Sequence, residues 1–253
     1  MRAWIIPMQL DPITTDTIAS PLESYPDQVS LVHGLNERFA LSTPLEIVDA
    51  AIREIFPRQI ALVSSFGAES ALLLHLVAEV DRSLPILFLD TGKHFDETLM
   101  YRDILAGRFD FSDLRSIEPD SAALAKHDPD GTLWSTNPDL CCQLRKVDPL
   151  ERALSPFSAW ITGRKRYQNK LRATLPIFES LAGRVKVNPL ARLNAAEIEA
   201  AFKEFKLPQH PLVYDGFKSI GCKPCTIRVA DGADARSGRW AGSEKTECGI
   251  HRN

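Results

Sequence analysis

The chain has 253 residues, enough for one α/β domain with an ordinary core, or for such a domain with a small extension. Its 30 Lys and Arg against 33 Asp and Glu leave a formal net charge of -3, so nucleic acid is not an expected partner, whereas a local basic patch for a small anion is compatible with that total. The N-terminal run Met1 to Leu10 holds one basic residue and a short apolar stretch broken by Pro7, too short for a signal-peptide core, and no later apolar run approaches a bilayer span. These features predict a cytoplasmic protein with no membrane association, in which clustered cysteines more often bind metal or do redox chemistry than form structural disulfides.

In chain order, residues 1–42 read as an N-terminal segment, irregular at first and then a short helix. Thr43-Pro44-Leu45-Glu46 is a helix start: Thr43 caps, Pro44 suits the first turn and Glu46 completes a capping box. Leu45, Val48, Ile52 and Ile55 follow at helical spacing and predict a buried stripe. A strand over 59–63, the loop Ser64-Ser-Phe-Gly-Ala-Glu-Ser70 and an apolar helix to Val80 come next. Then follow a second apolar strand over 84–89, the turn Asp90-Thr-Gly-Lys-His94 and a helix over 95–105. Strand-helix alternation with short connections predicts an α/β fold whose mainly parallel sheet is flanked by helices, with ligands beyond the carboxyl ends of its strands.

A third strand is expected within 109–117, a helix around Cys141-Cys-Gln-Leu-Arg-Lys146, a strand over 157–162 and another over 185–189. Asn194 to Glu197 caps a last regular helix that presents Ile198, Ala201, Phe202 and Phe205 to the core. From Pro208 the chain reads as irregular, and the expected organisation is a ligand-binding α/β domain over 43–230 and a mobile C-terminal tail over 231–253.

Five cysteines divide unevenly into Cys141-Cys142, Cys222-Lys-Pro-Cys225 and a lone Cys248. A Cys-x-x-Cys pair alone is open between zinc, an iron-sulfur centre and a redox dithiol, and the second pair raises the prospect of a four-thiolate site. Adjacent cysteines on a regular helix project about 100 degrees apart, so holding one group requires local distortion or a wide ligand set. That favours a cluster over a single zinc ion, with unligated core cysteines as the third reading. Cys248 follows the basic and aromatic segment Arg236-Ser-Gly-Arg-Trp-Ala-Gly-Ser-Glu-Lys-Thr246, which reads as flexible and unsuited to burying a side chain. Near Lys245, His251 and the upstream arginines, its thiol is a candidate nucleophile.

The loop 64–70 joins a strand to a helix, where backbone amides and the helix N-terminus can hold a phosphate. It lacks the P-loop lysine and the dinucleotide glycine pattern. Asp90, Thr91 and Gly92 occupy an equivalent position and are candidates for ribose or base contacts. Gly163, Arg164 and Arg166, with Arg172 just beyond, form a basic loop at a strand end that suits an anionic small ligand.

Together these motifs resemble the assimilatory sulfonucleotide reductases, specifically the iron-sulfur-containing adenosine 5'-phosphosulfate reductases of bacteria. The resemblance runs from about Pro57 to His251 and is carried by Ser64 to Ser70, Leu89-Asp-Thr-Gly92, Cys141 to Lys146, Ile161-Thr-Gly-Arg164, Cys222 to Cys225 and Lys245 to His251. It implies an adenine nucleotide α-hydrolase-like fold, a [4Fe-4S] cluster on Cys141, Cys142, Cys222 and Cys225, and Cys248 as nucleophile. It further implies Lys146 as an electrostatic bridge between cluster and substrate, with His251, Arg236, Arg239 and Trp240 in a substrate-closing segment. Ser64, Ser65, Phe66, Gly67, Ala68, Glu69 and Ser70 would hold the phosphosulfate. The chain departs from the usual pattern at Tyr167 to Arg172 and at Ala241, which makes Arg172 a better-supported binding residue than Tyr167 or Asn169.

The implied reaction is thioredoxin-dependent reduction of adenosine 5'-phosphosulfate to sulfite and AMP through an S-sulfocysteine at Cys248, in a homo-oligomeric enzyme. The alternatives are a reductase of the 3'-phosphorylated nucleotide or one of dual specificity, and a metal-stabilised nucleotide-binding or redox-sensing protein. Adenylation chemistry is disfavoured because the first loop lacks a Ser-Gly-Gly-x-Asp-Ser pattern.

Overall fold

The computed structural model describes residues 27–230, 232, 234–240, 245 and 247–251. The irregular segment expected at the N-terminus therefore lies almost wholly outside the described residues. The short helix expected after it is α1 (Gln28–Arg38), capped by the Asp27 carboxylate.

Next come α2 (Pro44–Ala50), β1 (Ile60–Val63), α3 (Ser70–Val80), β2 (Ile86–Leu89), α4 (Asp96–Phe109) and β3 (Leu114–Ile117). The Thr43–Glu46 capping box forms as the sequence predicts, and α2 continues into a wide π turn over Ala51–Ile55. The predicted stripe needs one correction: Leu45 is exposed and Ile47 is buried in its place. Leu45 falls in the first turn, which projects past the edge of the core.

The second half contains α5 (Ser121–His127), α6 (Leu133–Thr136), α7 (Pro138–Cys142), α8 (Asp148–Leu154), β4 (Ala159–Ile161), β5 (Phe178–Leu181), β6 (Arg184–Val187), α9 (Ala195–Glu204) and α10 (Pro211–Tyr214). Sequence reading misses β5. It forms a hairpin with β6 through Ala182 and Gly183, both at positive φ, and an Ala-Gly pair lacks the Asn-Gly signature of such turns. On α9, Ile198 and Phe202 are buried as expected, whereas Phe205, at the C-cap, is exposed.

The six strands run in the order β3-β2-β1-β4-β6-β5, all parallel except the β5–β6 pair. Strand alternation sorts side chains onto two faces. Ile60, Leu62, Ile86, Phe88, Ala159, Ile161, Val185 and Val187 pack with residues of α1 to α4 and α9. Ala61, Leu87, Leu89 and Trp160 pack with Leu150 and Leu154 of α8.

The chain leaves β1 toward β2 and β3, then returns on the other side of β1 as β4. This reversal opens a crevice beyond the carboxyl ends of β1 and β4, the ordinary ligand position in such sheets. None of the helices among the described residues is long and apolar enough to cross a membrane.

Asn188, fully buried just past β6, locks the strand ends around the crevice. Its Oδ1 accepts from Thr162 Oγ1 at 2.6 Å and its Nδ2 donates to the Pro176 carbonyl at 3.0 Å. Asn188→Ala strands these partners and is expected to cost about 1–3 kcal/mol. A urea midpoint equal to wild type would contradict this.

Candidate functional site

A cavity of about 230 Å3 occupies the β1/β4 crevice. From the loop after β1 it is lined by Ser64, Ser65, Gly67, Glu69 and Ser70, and from the loop after β4 by Gly163, Arg164 and Lys165, with Arg172 from the following turn. Ser70 Oγ donates to the Gly67 carbonyl at 2.8 Å, closing the turn that starts α3. A Cβ on Gly67 would sit 3.2 Å from the Ile220 carbonyl, so the residue type allows the 219–221 segment to approach this loop closely.

The cavity is strongly cationic. Arg164 pairs with Glu179, and Lys165 Nζ lies 2.8 Å from Glu69. Arg172 meets Glu247 through Nε and Nη2, both at 2.7 Å. Burial, and then Arg172, lower Arg164 to about 10; burial, with Arg172 again the leading charge, lowers Arg236 to about 10. His251 is held well below its ordinary range, first by burial and then by Arg164, Lys186, Arg172 and Arg236. Among the described residues, His251 Nδ1, Arg164 Nε and Trp160 Nε1 are buried polar atoms without a hydrogen-bond partner, and all three residues line the cavity. Surplus positive charge and orphaned polar atoms suit a small polyanion.

Lys186 of β6 points to the α8 face beneath this cavity, with Nζ 5.1 Å from the Trp160 ring centroid and 3.3 Å from Glu179. Glu179 also serves Arg164. Burial and the guanidinium groups of Arg164 and Arg172 therefore outweigh the attraction of Glu247 and push Lys186 from 10.5 to about 7.

A second, smaller cavity adjoins the first and is lined by Cys141, Cys142, Cys222 and Cys225, together with Lys93, Arg145, Lys146 and Arg239. Cys141 and Cys142 close α7, and the chain then widens into a π turn over Gln143–Val147. This supplies the distortion that adjacent ligands on one helix require, and such turns are frequent at functional sites. Thr91 Oγ1 lies 3.3 Å from Cys222 Sγ, and Arg145 binds the Thr91 carbonyl at 2.8 Å.

Four soft thiol donors, with four cations and no carboxylate among the residues lining their cavity, fit a thiolate-ligated cluster. Among the described residues, no group of three or more His, Cys, Asp and Glu side chains is gathered as one ion would require. Lys146 lines both cavities. Burial acts to lower it, but the attraction of Cys222, Cys248 and Cys142 prevails and holds it above its ordinary range.

The tail reaches both cavities. Thr226 and Arg239 form an antiparallel bridge, Ile227 N–H donates to Gly238 O at 2.8 Å, and Trp240 N–H donates to Cys225 O at 3.1 Å. Arg239 stacks on Trp240 at 4.6 Å. Its guanidinium lies where a Cβ on residue 221 would be, which only Gly221 permits.

The expectation that the segment 236–246 buries no side chain is corrected: Trp240 and Lys245 within it are buried, and so is Cys248 beyond it. Cys225, Cys142, Ile250 and the Trp240 ring cover the Cys248 thiol, and Lys245 pairs with Asp139 of α7. A hydrogen bond from Cys142, against the opposing effect of burial, lowers Cys248 well below its ordinary range, with Lys146, the Ile250 amide and Arg239 adding to it.

Of the residues singled out in the sequence, Ser64, Ser65, Gly67, Glu69, Ser70, Lys146, Gly163, Arg164, Arg172, Arg236, Arg239, Trp240, Cys248 and His251 meet at the first cavity. Phe66 is instead buried against Phe88, with its backbone at φ 47, and Ala68 packs beside Phe95 and Ile220. Asp90, Thr91 and Gly92 support the cysteine cavity: Asp90 accepts from the Gly92 amide, and Thr91 addresses Cys222. Arg166 is exposed and donates to the Leu175 carbonyl. Sequence reading leaves Lys165, Glu247, Glu179 and Lys186 unassigned. Lys165 lies between Arg164 and Arg166, and Glu247 beside Cys248, whereas nothing local marks Glu179 and Lys186 of the β5–β6 pair.

The profile described as "Phosphoadenosine phosphosulfate reductase domain" matches residues 59–228, a span that holds Cys141, Cys142, Cys222 and Cys225 but not Cys248. A protein named adenosine 5'-phosphosulfate reductase from Mesorhizobium japonicum is 53% identical over 218 residues, covering 86% of each chain. One named phosphoadenosine 5'-phosphosulfate reductase from Gloeobacter violaceus is 42% identical over 230 residues, covering 89% of this chain and 95% of its own. The solved phosphate complex of phosphoadenylyl-sulfate reductase from Candida auris has a TM-score of 0.68 at 28% identity, covering 80% of this chain and 98% of its own.

The Lys186 environment makes stability depend on pH. The unfolded chain holds this proton up to 10.5 and the folded chain only to about 7, so between those values unfolding takes up a proton and stability rises with pH. Urea unfolding is expected to show Lys186→Met losing about 2 kcal/mol of the wild-type gain between roughly pH 7 and pH 9. Parallel pH profiles for the two proteins would contradict the assignment.

Proposed function

The chain belongs to the phosphoadenosine phosphosulfate reductase family, and from that premise we propose that it is an adenylyl-sulfate reductase which converts adenosine 5'-phosphosulfate to sulfite and AMP through Cys248. Its fold is that of the adenine nucleotide α-hydrolases, with a mostly parallel sheet. The observation that carries the reading is one thiol, Cys248, set beside Lys146 at a cationic cavity on the β1/β4 crevice.

The backbone of loop 64–70 and the first turn of α3 receive the 5'-phosphosulfate, and Arg164 and Arg172 balance its charge. The Cys248 thiolate attacks the substrate sulfur. The bond from sulfur to the phosphate oxygen breaks, AMP departs with that electron pair, and Cys248 carries a sulfonate. Lys146, the arginines and the loop amides stabilise the charge that develops on the leaving phosphate.

A thiolate of reduced thioredoxin then attacks Cys248 Sγ, forms a mixed disulfide and releases sulfite. Its second thiol resolves that disulfide, so two electrons come from thioredoxin and Cys248 returns as a thiol. The five cysteines, none of them in a disulfide, support a cytoplasmic location, and assembly as a homo-oligomer is part of the same proposal.

Cys141, Cys142, Cys222 and Cys225 would hold a [4Fe-4S] cluster. When bound, it would supply a cross-link between the two cysteine segments and electrostatic polarisation beside Lys146. The four thiols favour the substrate without a 3'-phosphate, and the Gloeobacter violaceus relative supports the alternative of a 3'-phosphorylated or dual substrate.

Thioredoxin-dependent sulfite release is expected to be faster with adenosine 5'-phosphosulfate than with its 3'-phosphorylated form, and the reverse order would overturn the substrate assignment. Cys248→Ser should abolish the sulfonated species seen by mass spectrometry while keeping iron and sulfide. An adduct at full yield would refute the nucleophile. Cys222→Ser should lose iron, and a colourless wild-type protein containing zinc would refute the cluster.

A further inference from the structure

Glu247 immediately precedes Cys248, and no step of the proposed reaction uses it. Its carboxylate is nonetheless among the best-satisfied groups in the molecule. Arg172 Nε and Nη2 donate to its two oxygens at 2.7 Å each, Asn169 Nδ2 donates at 2.9 Å and Arg236 Nη2 at 3.2 Å. The Glu247 side chain is 12% exposed and that of Arg172 8%. We propose that Glu247 is the positioning residue for Cys248: its carboxylate plugs into a socket of Arg172, Asn169 and Arg236 and so fixes the thiol against the cavity.

The geometry supports this from both sides of the thiol. Adjacent Cα atoms are about 3.8 Å apart, so a carboxylate fixed by four donors leaves the next residue little freedom. On the other side, His251 N–H donates to the Cys248 carbonyl at 3.1 Å. A Cβ on Gly249 would lie 2.9 Å from Val147, so that glycine lets the chain settle on the turn that carries Lys146.

The socket is also wired across the cavity. Arg172 Nη1 donates to Gln168 Oε1, Gln168 Nε2 donates to Glu69 at 3.2 Å, and Glu69 pairs with Lys165 at 2.8 Å. Glu69 belongs to the 64–70 loop that starts α3. One hydrogen-bonded chain thus runs from that loop to the residue before the thiol. A buried bidentate pair of this kind is directional, and removing its anion leaves a buried guanidinium uncompensated.

The opposite role would be a plug that competes with the substrate anion for Arg172. The two roles predict opposite signs. This inference rests on Cys248 being the nucleophile, so one arm of its test needs no substrate.

In full-length Glu247→Gln, mass spectrometry is expected to show iodoacetamide alkylating Cys248 roughly tenfold faster than in wild type. In single turnover at saturating adenosine 5'-phosphosulfate, the S-sulfo adduct should form roughly tenfold more slowly, with Glu247→Asp recovering part of the rate. Tighter AMP binding with a rate at or above wild type would make Glu247 a competitor and overturn the proposal. Unchanged alkylation and adduct rates would overturn it equally. If wild type forms no adduct, the function has failed, and the alkylation arm alone still decides the clamp.

Discussion

Positive charge held out of water at one end of the sheet is the constraint on which the rest of this molecule depends. Arg164, Lys165, Arg172 and Lys186 are buried around a single crevice, and Arg236, Arg239 and Lys146 are half-buried beside them. The ion pairs of these seven cations described above engage three carboxylates, Glu69, Glu179 and Glu247. Buried charge is tolerated only when it is compensated, so each carboxylate has a defined place. Glu179 serves the strand ends, Glu69 the first loop and Glu247 the tail. Among the described residues, the positive charge that remains suits a small anionic ligand.

The same constraint joins the two cavities. Lys146 lines both, and Arg239 lines both while stacked on Trp240. The segments at Cys141–Cys142 and Cys222–Cys225, distant in sequence, therefore share cations with the anion site. Thr91 shows how closely the parts are fitted: its hydroxyl addresses Cys222 and its carbonyl accepts from Arg145, which also pairs with Asp128.

The sequence made the strand-helix alternation legible because apolar runs and capping residues are local signals. Ser64 to Ser70, Arg164, Arg172 and the cysteine pairs were legible because their chemistry is written in consecutive residues. What was missed is non-local. Lys186 looks like an ordinary strand lysine until β6 pairs with β4 and sets it beneath Trp160. Glu247 acquires a role only when the tail folds back onto Arg172. Arg166 and Arg164 are indistinguishable in a basic run, yet Arg164 enters the crevice and Arg166 turns outward to Leu175. The segment before Cys248 was expected to bury no side chain because composition alone does not show Trp240 packing against Cys142 and Cys248.

The antiparallel bridge between Thr226 and Arg239 has a mechanical meaning of its own. It staples the backbone at the Cys225 end of the domain, so Trp240 is a fixed post and Cys248 lies eight residues beyond it. Even a fully extended chain of that length spans at most roughly 25–30 Å. The bridge thus sets a radius, and the thiol lies within that distance of Trp240 in every step that uses it.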